Sequence, residues 1–368
     1  MVDIAFITDE PGSNGFARKA RGLAEAFAER GVRFDAVYLK GLGEERAEGT
    51  TREVELGAPR AALATPAIAR YLRRARPRLA LVNSGQLGPA AVAAGLAARR
   101  PVVPWEPAFL DRDLPSLPPR MRVMNAAQNL LYRRAPAVVA PSRAMVEWVT
   151  RHRGVPPQRV HLVHNPIDAD AVRRAAGERP APDGVFRLCA VGRLVEQKGY
   201  DVLVEALASV RDELPDPWQL TVVGEAGIWR GSWEERLRAL IARHGLEGKV
   251  RLAGYLDNPH AEMARADVFV HAARWEPFGN VLVEALAVGL PVVAADCPGG
   301  PAEILDSGRY GVLVPNEDPR ALGRAIAELA HDDARRAELA AVAPEGAARF
   351  APARIAERLL ELARDLDF

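Results

Sequence analysis

Residues 275–301 read WEPFGNVLVEALAVGLPVVAADCPGGP, and their succession of turn, helix, turn and strand decides the fold. Pro277 and Gly279 disfavour a helix before Asn280, so Glu276 projects from a loop. Asn280 is a good N-cap, Val281 to Val288 can form about two turns, and Gly289 stops them. Pro291 then opens an apolar strand. The N–H groups of Asn280, Val281 and Leu282, with the positive end of the helix dipole, suit a diphosphate. Glu284, one turn inside, can accept two bonds from a ribose diol. Glu276, beyond the helix start, is placed for hydroxyls of a sugar on the same diphosphate. Taken alone, two glutamates eight apart are equally a surface loop and an ordinary helical residue; the whole string is the signal.

Upstream, VGRLVEQKG (191–199) continues the buried strand FRLCAV into a glycine turn carrying Arg193 and Lys198. A guanidinium fork and a mobile ammonium at the carboxyl end of a strand neutralise a pyrophosphate in complementary ways. On a loop by themselves they are two exposed cations.

The rest of the chain repeats one pattern. Apolar strands are expected at 2–8, 34–39, 79–82, 101–104, 137–140 and 160–163, with helices between them that include 66–74 and 119–135. Between Arg173 and Gly184 the apolar periodicity lapses and Pro and Gly accumulate, which reads as a linker. A second series follows at 185–191, 218–223, 249–253, 268–271, 291–294 and 311–314. The pattern predicts two doubly wound parallel α/β domains, 1–175 and 185–350, their ligand crevices sharing one central cleft. The last segment, 352–368, is an amphipathic helix that either caps the second domain or joins the first.

The segments GRLVEQKGYDVLVEAL and EPFGNVLVEALAVGLPVVAADCPGGPAEIL resemble the nucleotide-sugar site of the family 4 retaining glycosyltransferases, including the E-x7-E pattern. The likeness continues weakly through VVAPSRAM and VHNPID. It implies the GT-B architecture, two facing Rossmann-like domains. It also implies roles: Arg193 and Lys198 on the diphosphate, Glu276 on the donor sugar, Glu284 on the ribose. Phe278, Gly279, Asn280 and Val281 would bind phosphate or sugar. The loop PGSNG resembles the glycine-rich loop that closes over the diphosphate, with Gly12 and Gly15 admitting backbone close to the ligand. Where many relatives carry an acceptor-facing histidine after the strand PVVPW, this chain has Trp105 and Glu106. Glu106, Asn83 and Gln86 are therefore the acceptor-side candidates. His271 and His164 read as structural.

The implied activity is a metal-independent, retaining hexosyltransferase in bacterial glycoconjugate or polysaccharide synthesis. It would move a hexose or acetamidohexose from a UDP-sugar, in preference to a GDP-sugar, to a sugar, lipid-linked or small-molecule acceptor. A nucleotide-sugar epimerase of the same architecture and a non-catalytic carbohydrate binder are the rivals. A nicotinamide dehydrogenase is disfavoured, because no GxGxxG follows either first strand with an acidic residue about 20 positions on.

Composition agrees with a soluble globular chain of 368 residues, 49% hydrophobic and 26% charged. Residues 1–175 hold 27 Lys and Arg against 17 Asp and Glu, a balance of +10, and the remainder balances at −9. A basic amino-terminal half favours an anionic partner. The helical segments YLRRARPR and RMRVMNAAQNLLYRRA either rest on an anionic membrane or are helices with cationic outer faces. No cofactor, metal or nucleic acid is expected; the Asp111–Asp113 pair reads as a solvated loop. Cys189 and Cys297 lack metal-ligand spacing and read as free thiols. The start of the chain lacks the long apolar run of a signal peptide, so the expected location is the cytoplasm, with peripheral contact at the plasma membrane.

Overall fold

The computed structural model describes residues 2–11, 15–83, 87–109, 119–226 and 233–366. The chain divides into two compact units, residues 1–166 with 350–368, and residues 167–349.

The first unit holds β1 (Ile4–Thr8), α1 (Gly15–Ala28), β2 (Phe34–Tyr38), β3 (Arg46–Glu48), β4 (Thr51–Glu55), α2 (Thr65–Ala75), β5 (Leu79–Asn83), α3 (Leu87–Ala98) and β6 (Val102–Trp105). It continues with α4 (Pro119–Tyr132), β7 (Val138–Ala140), α5 (Arg143–Trp148) and β8 (Val160–Leu162). Its strands run β3-β4-β2-β1-β5-β6-β7-β8 among the described residues, all parallel except β3. β1 and β2 bury every residue, as strands covered on both faces must.

The second unit holds α6 (Ala169–Ala176), β9 (Phe186–Val191), α7 (Tyr200–Val210), β10 (Trp218–Val223), α8 (Trp233–Arg243), β11 (Val250–Gly254), α9 (Pro259–Ala264) and β12 (Val268–His271). Then follow α10 (Asn280–Val288), β13 (Val292–Asp296), α11 (Pro301–Ile304), β14 (Val312–Pro315), α12 (Pro319–His331) and α13 (Asp333–Ala348). Its parallel order, β11-β10-β9-β12-β13-β14, reverses between β9 and β12. Loops leaving the carboxyl ends of those two neighbours open the crevice where such sheets bind ligands.

The closing helix α14 (Pro352–Asp365) packs on α1 in the first unit. Ile355, Leu359 and Leu362, one face at i, i+4 and i+7, join Leu23 and Phe27 in that core. The division also falls earlier than the composition of 173–184 implied. Asp168 caps α6 by accepting from the Ala171 N–H at 2.9 Å, and the helix-forming run that follows extends to Ala176. Residues 167–175 therefore pack with α9 and α10 of the second unit.

α1 carries an unusual core residue. Lys19 is 5% exposed; its Nζ donates to Asn165 Oδ1 at 2.7 Å and lies 4.2 Å from the centre of the Trp105 ring. Burial pulls its pKa from 10.5 down to about 7. The unfolded chain keeps its proton up to 10.5 and the folded one only to about 7, so this group opposes folding below pH 7. The opposition fades as pH rises towards 10.5. Compared with a Lys19→Met variant in denaturant titrations from pH 6 to 9.5, the native chain should gain stability with a slope approaching about 1.4 kcal/mol per pH unit. Parallel curves for the two proteins would contradict a buried, titrating ammonium.

Candidate active site

The site forms where the loops after β9 and β12 meet. The two strands pair directly, Val268 with Leu188 and Phe269 with Cys189. Residues 78 apart in sequence are thereby neighbours. Lys198 ends a short 3-10 turn, Glu196–Lys198, that Gly199 closes at φ 61. A β-carbon on Gly199 would sit 2.0 Å from the Ala272 carbonyl oxygen, so only glycine lets the first loop lie against the second. The stitching is mutual. Arg274 N–H donates to Gln197 O at 2.8 Å, and Gln197 Nε2 to Trp275 O at 3.0 Å. Arg274 also grips Asp201 with two bonds of 2.9 and 2.8 Å.

Glu276 is held on a third side. Its N–H donates to Pro298 O at 3.0 Å, and its carbonyl accepts from Gly300 N–H at 3.0 Å. Gly299, at φ 141, would place a β-carbon 1.6 Å from that carbonyl. The run PGG at 298–300 is thus the template that fixes the glutamate.

Its side chain, 11% exposed, receives the Lys198 ammonium and stands 3.2 Å from His271 Nε2. Burial pushes the Glu276 carboxyl up, but Lys198 first, and His271 with it, more than reverse this and hold it at about 2. Burial drives the His271 pKa down, against the pull of Glu276. The ring is neutral near pH 7, its Nε2–H donating to a carboxylate that can only accept. Glu276 is therefore an ionised acceptor with one oxygen committed and one available to hydroxyls. His271, which read as structural, belongs to the site; only the β12 register places it beside Glu276.

The cap of α10 is Gly279, in the left-handed region at φ 107, and Asn280 is the first helical residue rather than the cap. The Leu282 N–H already donates to Gly279 O at 2.9 Å, so the helix mouth consists of Asn280 and Val281. Phe278 is 2% exposed, which leaves only its backbone for a ligand. Glu284 lies in the second turn, its side chain 9% exposed, 3.4 Å from His260 Nε2 on α9. His260 carried no sequence signal, because its partner lies 24 positions away on another helix. Arg193 is exposed on the same loop as Lys198, so Arg193, Lys198, Glu276 and Glu284 share the β9/β12 end of the sheet.

The acceptor-side candidates fare differently. Glu106, expected to touch an acceptor, is instead fully buried and accepts from Arg153 Nε at 3.0 Å. The strand pairing continues through its N–H, which donates to Val139 O at 2.9 Å, and this turns the carboxyl inward. Gly15 starts α1, and Asn83 ends β5, the carboxyl end facing the first sheet's own switch between β1 and β5. Gly12, Gln86, Asp111 and Asp113 lie outside the described residues. Cys189 and Cys297 are buried free thiols, and burial raises the pKa of both. Among the described residues, no helix is long and apolar enough to cross a membrane.

Two family models cover most of the chain: Glycosyltransferase Family 4 over residues 13–171 and Glycosyl transferases group 1 over residues 173–345. The N-acetylgalactosamine-N,N'-diacetylbacillosaminyl-diphospho-undecaprenol 4-alpha-N-acetylgalactosaminyltransferase of Campylobacter jejuni is 30% identical over 56% of this chain. That match spans about half of the relative, 54% of its length. The lipopolysaccharide core biosynthesis mannosyltransferase of Rhizobium meliloti is 31% identical over 66% of this chain and 70% of its own. Among solved structures, HepE of Anabaena, crystallised with UDP and glucose, superposes with a TM-score of 0.77 at 22% identity, over 99% of this chain and 100% of that one. Two parallel-sheet α/β units, a switch-point site carrying the E-x7-E pair, and family models spanning both units lead to one assignment: the chain belongs to the family 4 glycosyltransferases of the GT-B fold.

Proposed function

We propose that the chain transfers a hexose or acetamidohexose from a UDP-sugar to an acceptor hydroxyl, with retention of anomeric configuration and without a metal. The observation that carries this reading is the Lys198–Glu276–His271 cluster beside the mouth of α10. It offers a cation and backbone N–H groups to a diphosphate, and an ionised carboxylate to sugar hydroxyls a few ångströms on. The departing phosphate oxygen accepts the acceptor's proton on the same face, while Lys198, Arg193 and the helix end stabilise its growing charge. These fixed positive groups do the work that a divalent cation does elsewhere. UDP is favoured by the DCPGGPAEIL segment and by the UDP bound in the Anabaena neighbour. The relatives that act on lipid-linked and lipopolysaccharide acceptors favour glycoconjugate synthesis. The basic first half of the chain suits such an anionic acceptor or the surface that carries it.

The test is a product assay with UDP-sugars in EDTA. UDP released only when an acceptor is present, with an α-linked product from an α-linked donor, is the expected outcome. An isomerised donor would identify an epimerase, and donor binding without turnover a binding protein. Either result overturns the reading.

Glu284 is the proposed ribose ligand, and His260 steadies it. His260→Ala should raise the donor KM roughly 3-fold, the worth of a weak polar contact at 3.4 Å beside a carboxylate, with a smaller change in kcat. Steady-state kinetics at saturating acceptor measure this; an unchanged KM would remove His260 from the donor site.

A further inference from the structure

We propose a second, non-catalytic ligand site in the first unit: a groove of about 690 Å³ between β4 and α2 that takes a phosphate group. It is independent of the transferase reading, and its lining contains none of the residues assigned to the donor.

The groove follows from the topology. The sheet extends past β2 to β4 and the short edge strand β3, while α2 returns the chain towards β5 and packs chiefly on α3. One face of the outer strands is therefore left beside the helix rather than under it. Asp35 pairs in register with Arg52, so both point to that face, and Val54 and Leu56 continue it at the period of two. Opposite them stand Arg70, Tyr71 and Arg74 at i, i+1 and i+4 on α2, all lining the groove.

The floor is rigid and already neutralised. Asp35, 1% exposed, accepts two bonds from Arg52, at 2.9 and 2.5 Å, and one from the Tyr71 hydroxyl at 2.7 Å. Of the acids at the rim, Glu55 Oε2 accepts the N–H groups of Leu42 at 2.8 Å and Gly43 at 3.1 Å; Glu45 faces Arg52. Arg33 is paired with Asp3 at 3.4 Å. Arg70 and Arg74 are different: both are exposed, and neither has a hydrogen bond or acidic partner among the described residues. One turn apart on one helical face, two guanidinium groups repel each other until an anion bridges them. Thr50, at the entrance, adds a buried Oγ1 without a protein partner.

The chemistry selects the ligand class. Among the described residues Tyr71 is the lining's one aromatic ring, and its hydroxyl is held by Asp35, so it offers no open platform to a neutral sugar. Two unneutralised guanidinium forks above a wall of Val54 and Leu56 fit a phosphate ester with a small organic body, either a soluble phosphomonoester or a phospholipid headgroup.

The experiment uses the full chain, the double variant Arg70→Gln/Arg74→Gln, and the control Arg320→Gln/Arg324→Gln, which removes the same charge at the same spacing from α12. Glutamine keeps helix propensity close to that of arginine, and donor-induced thermal shifts report that the second unit is intact. Calorimetric titration with inorganic phosphate and glycerol phosphate is run beside co-sedimentation with phosphatidylglycerol vesicles. Weakening of either soluble probe by about tenfold or more in the α2 variant alone supports a soluble ester. Loss of vesicle binding in the α2 variant alone supports a headgroup. If no probe separates the α2 variant from the α12 control, the site does not exist.

Discussion

Lys198→Ala is expected to lower turnover roughly 30- to 1,000-fold, the about 2 to 4 kcal/mol that one preorganised charged contact supplies to an anionic transition state. The loss should fall on kcat more than on donor KM, because charge on the leaving phosphate grows as the glycosidic bond breaks. A second effect accompanies it. Glu276 is held at about 2 against its own burial, and Lys198 is the largest influence holding it there. Without that ammonium the carboxyl rises, since burial favours its neutral form and only His271 remains beside it. The acid limb of the pH–rate profile should therefore move upward in the variant, so that activity falls at a pH where the native enzyme still works. Lys198→Arg should recover part of the rate, because the charge survives while the reach and shape differ. Steady-state rates from pH 5 to 8 check all three statements. Near-native turnover of Lys198→Ala with an unshifted profile would remove this residue from the reaction and take the proposed charge stabilisation with it.

The features that the sequence made legible are those set by local rules. Among the described residues twelve strands are short, largely apolar runs, and these are readable from that alone. The two missed strands, Arg46–Glu48 and Thr51–Glu55, lie at the sheet margin, where RAE and TREVE are mostly charged and Ala47 and Val54 are too few apolar residues to mark a strand. The Glu276 loop was legible for a similar reason, since Pro277 and Gly279 act within a few residues of it. The contacts that tune the site were not. His271 reaches Glu276 because β12 ends where it does, and His260 reaches Glu284 because α9 and α10 pack together. Neither pairing has a sequence period. Glu106 failed for the opposite reason: its position beside a family motif implied solvent, while the continued pairing with β7 turned it inward.

That inward turn carries the other large prediction, which concerns stability. Arg153, 1% exposed, ends the π-helical extension of α5. It holds Glu106 at 3.0 Å, Asn129 Oδ1 at 2.7 Å and Asn125 Oδ1. Its guanidinium carbon also lies 5.0 Å from the centre of the Trp148 ring. Arg153→Met leaves a fully buried carboxylate uncompensated and should cost about 3 to 5 kcal/mol of stability near neutral pH. Burial already raises the Glu106 pKa, with Arg153 the main opposing influence. Removing Arg153 raises it further, so the folded variant takes up a proton that the unfolded chain releases near 4.5. The deficit should then be small at pH 5 and grow as pH climbs through the raised folded value. Arg153→Met/Glu106→Leu should recover most of the loss, because two apolar side chains replace a pair whose desolvation roughly cancels its attraction. Denaturant titrations of both variants at pH 5 and 8 decide it. A loss below about 1 kcal/mol, equal at both pH values, would mean that Glu106 is hydrated and free to meet an acceptor after all. If the losses instead follow the ion pair, Glu106→Gln should disturb folding before it disturbs the acceptor KM, and acceptor recognition must be sought elsewhere.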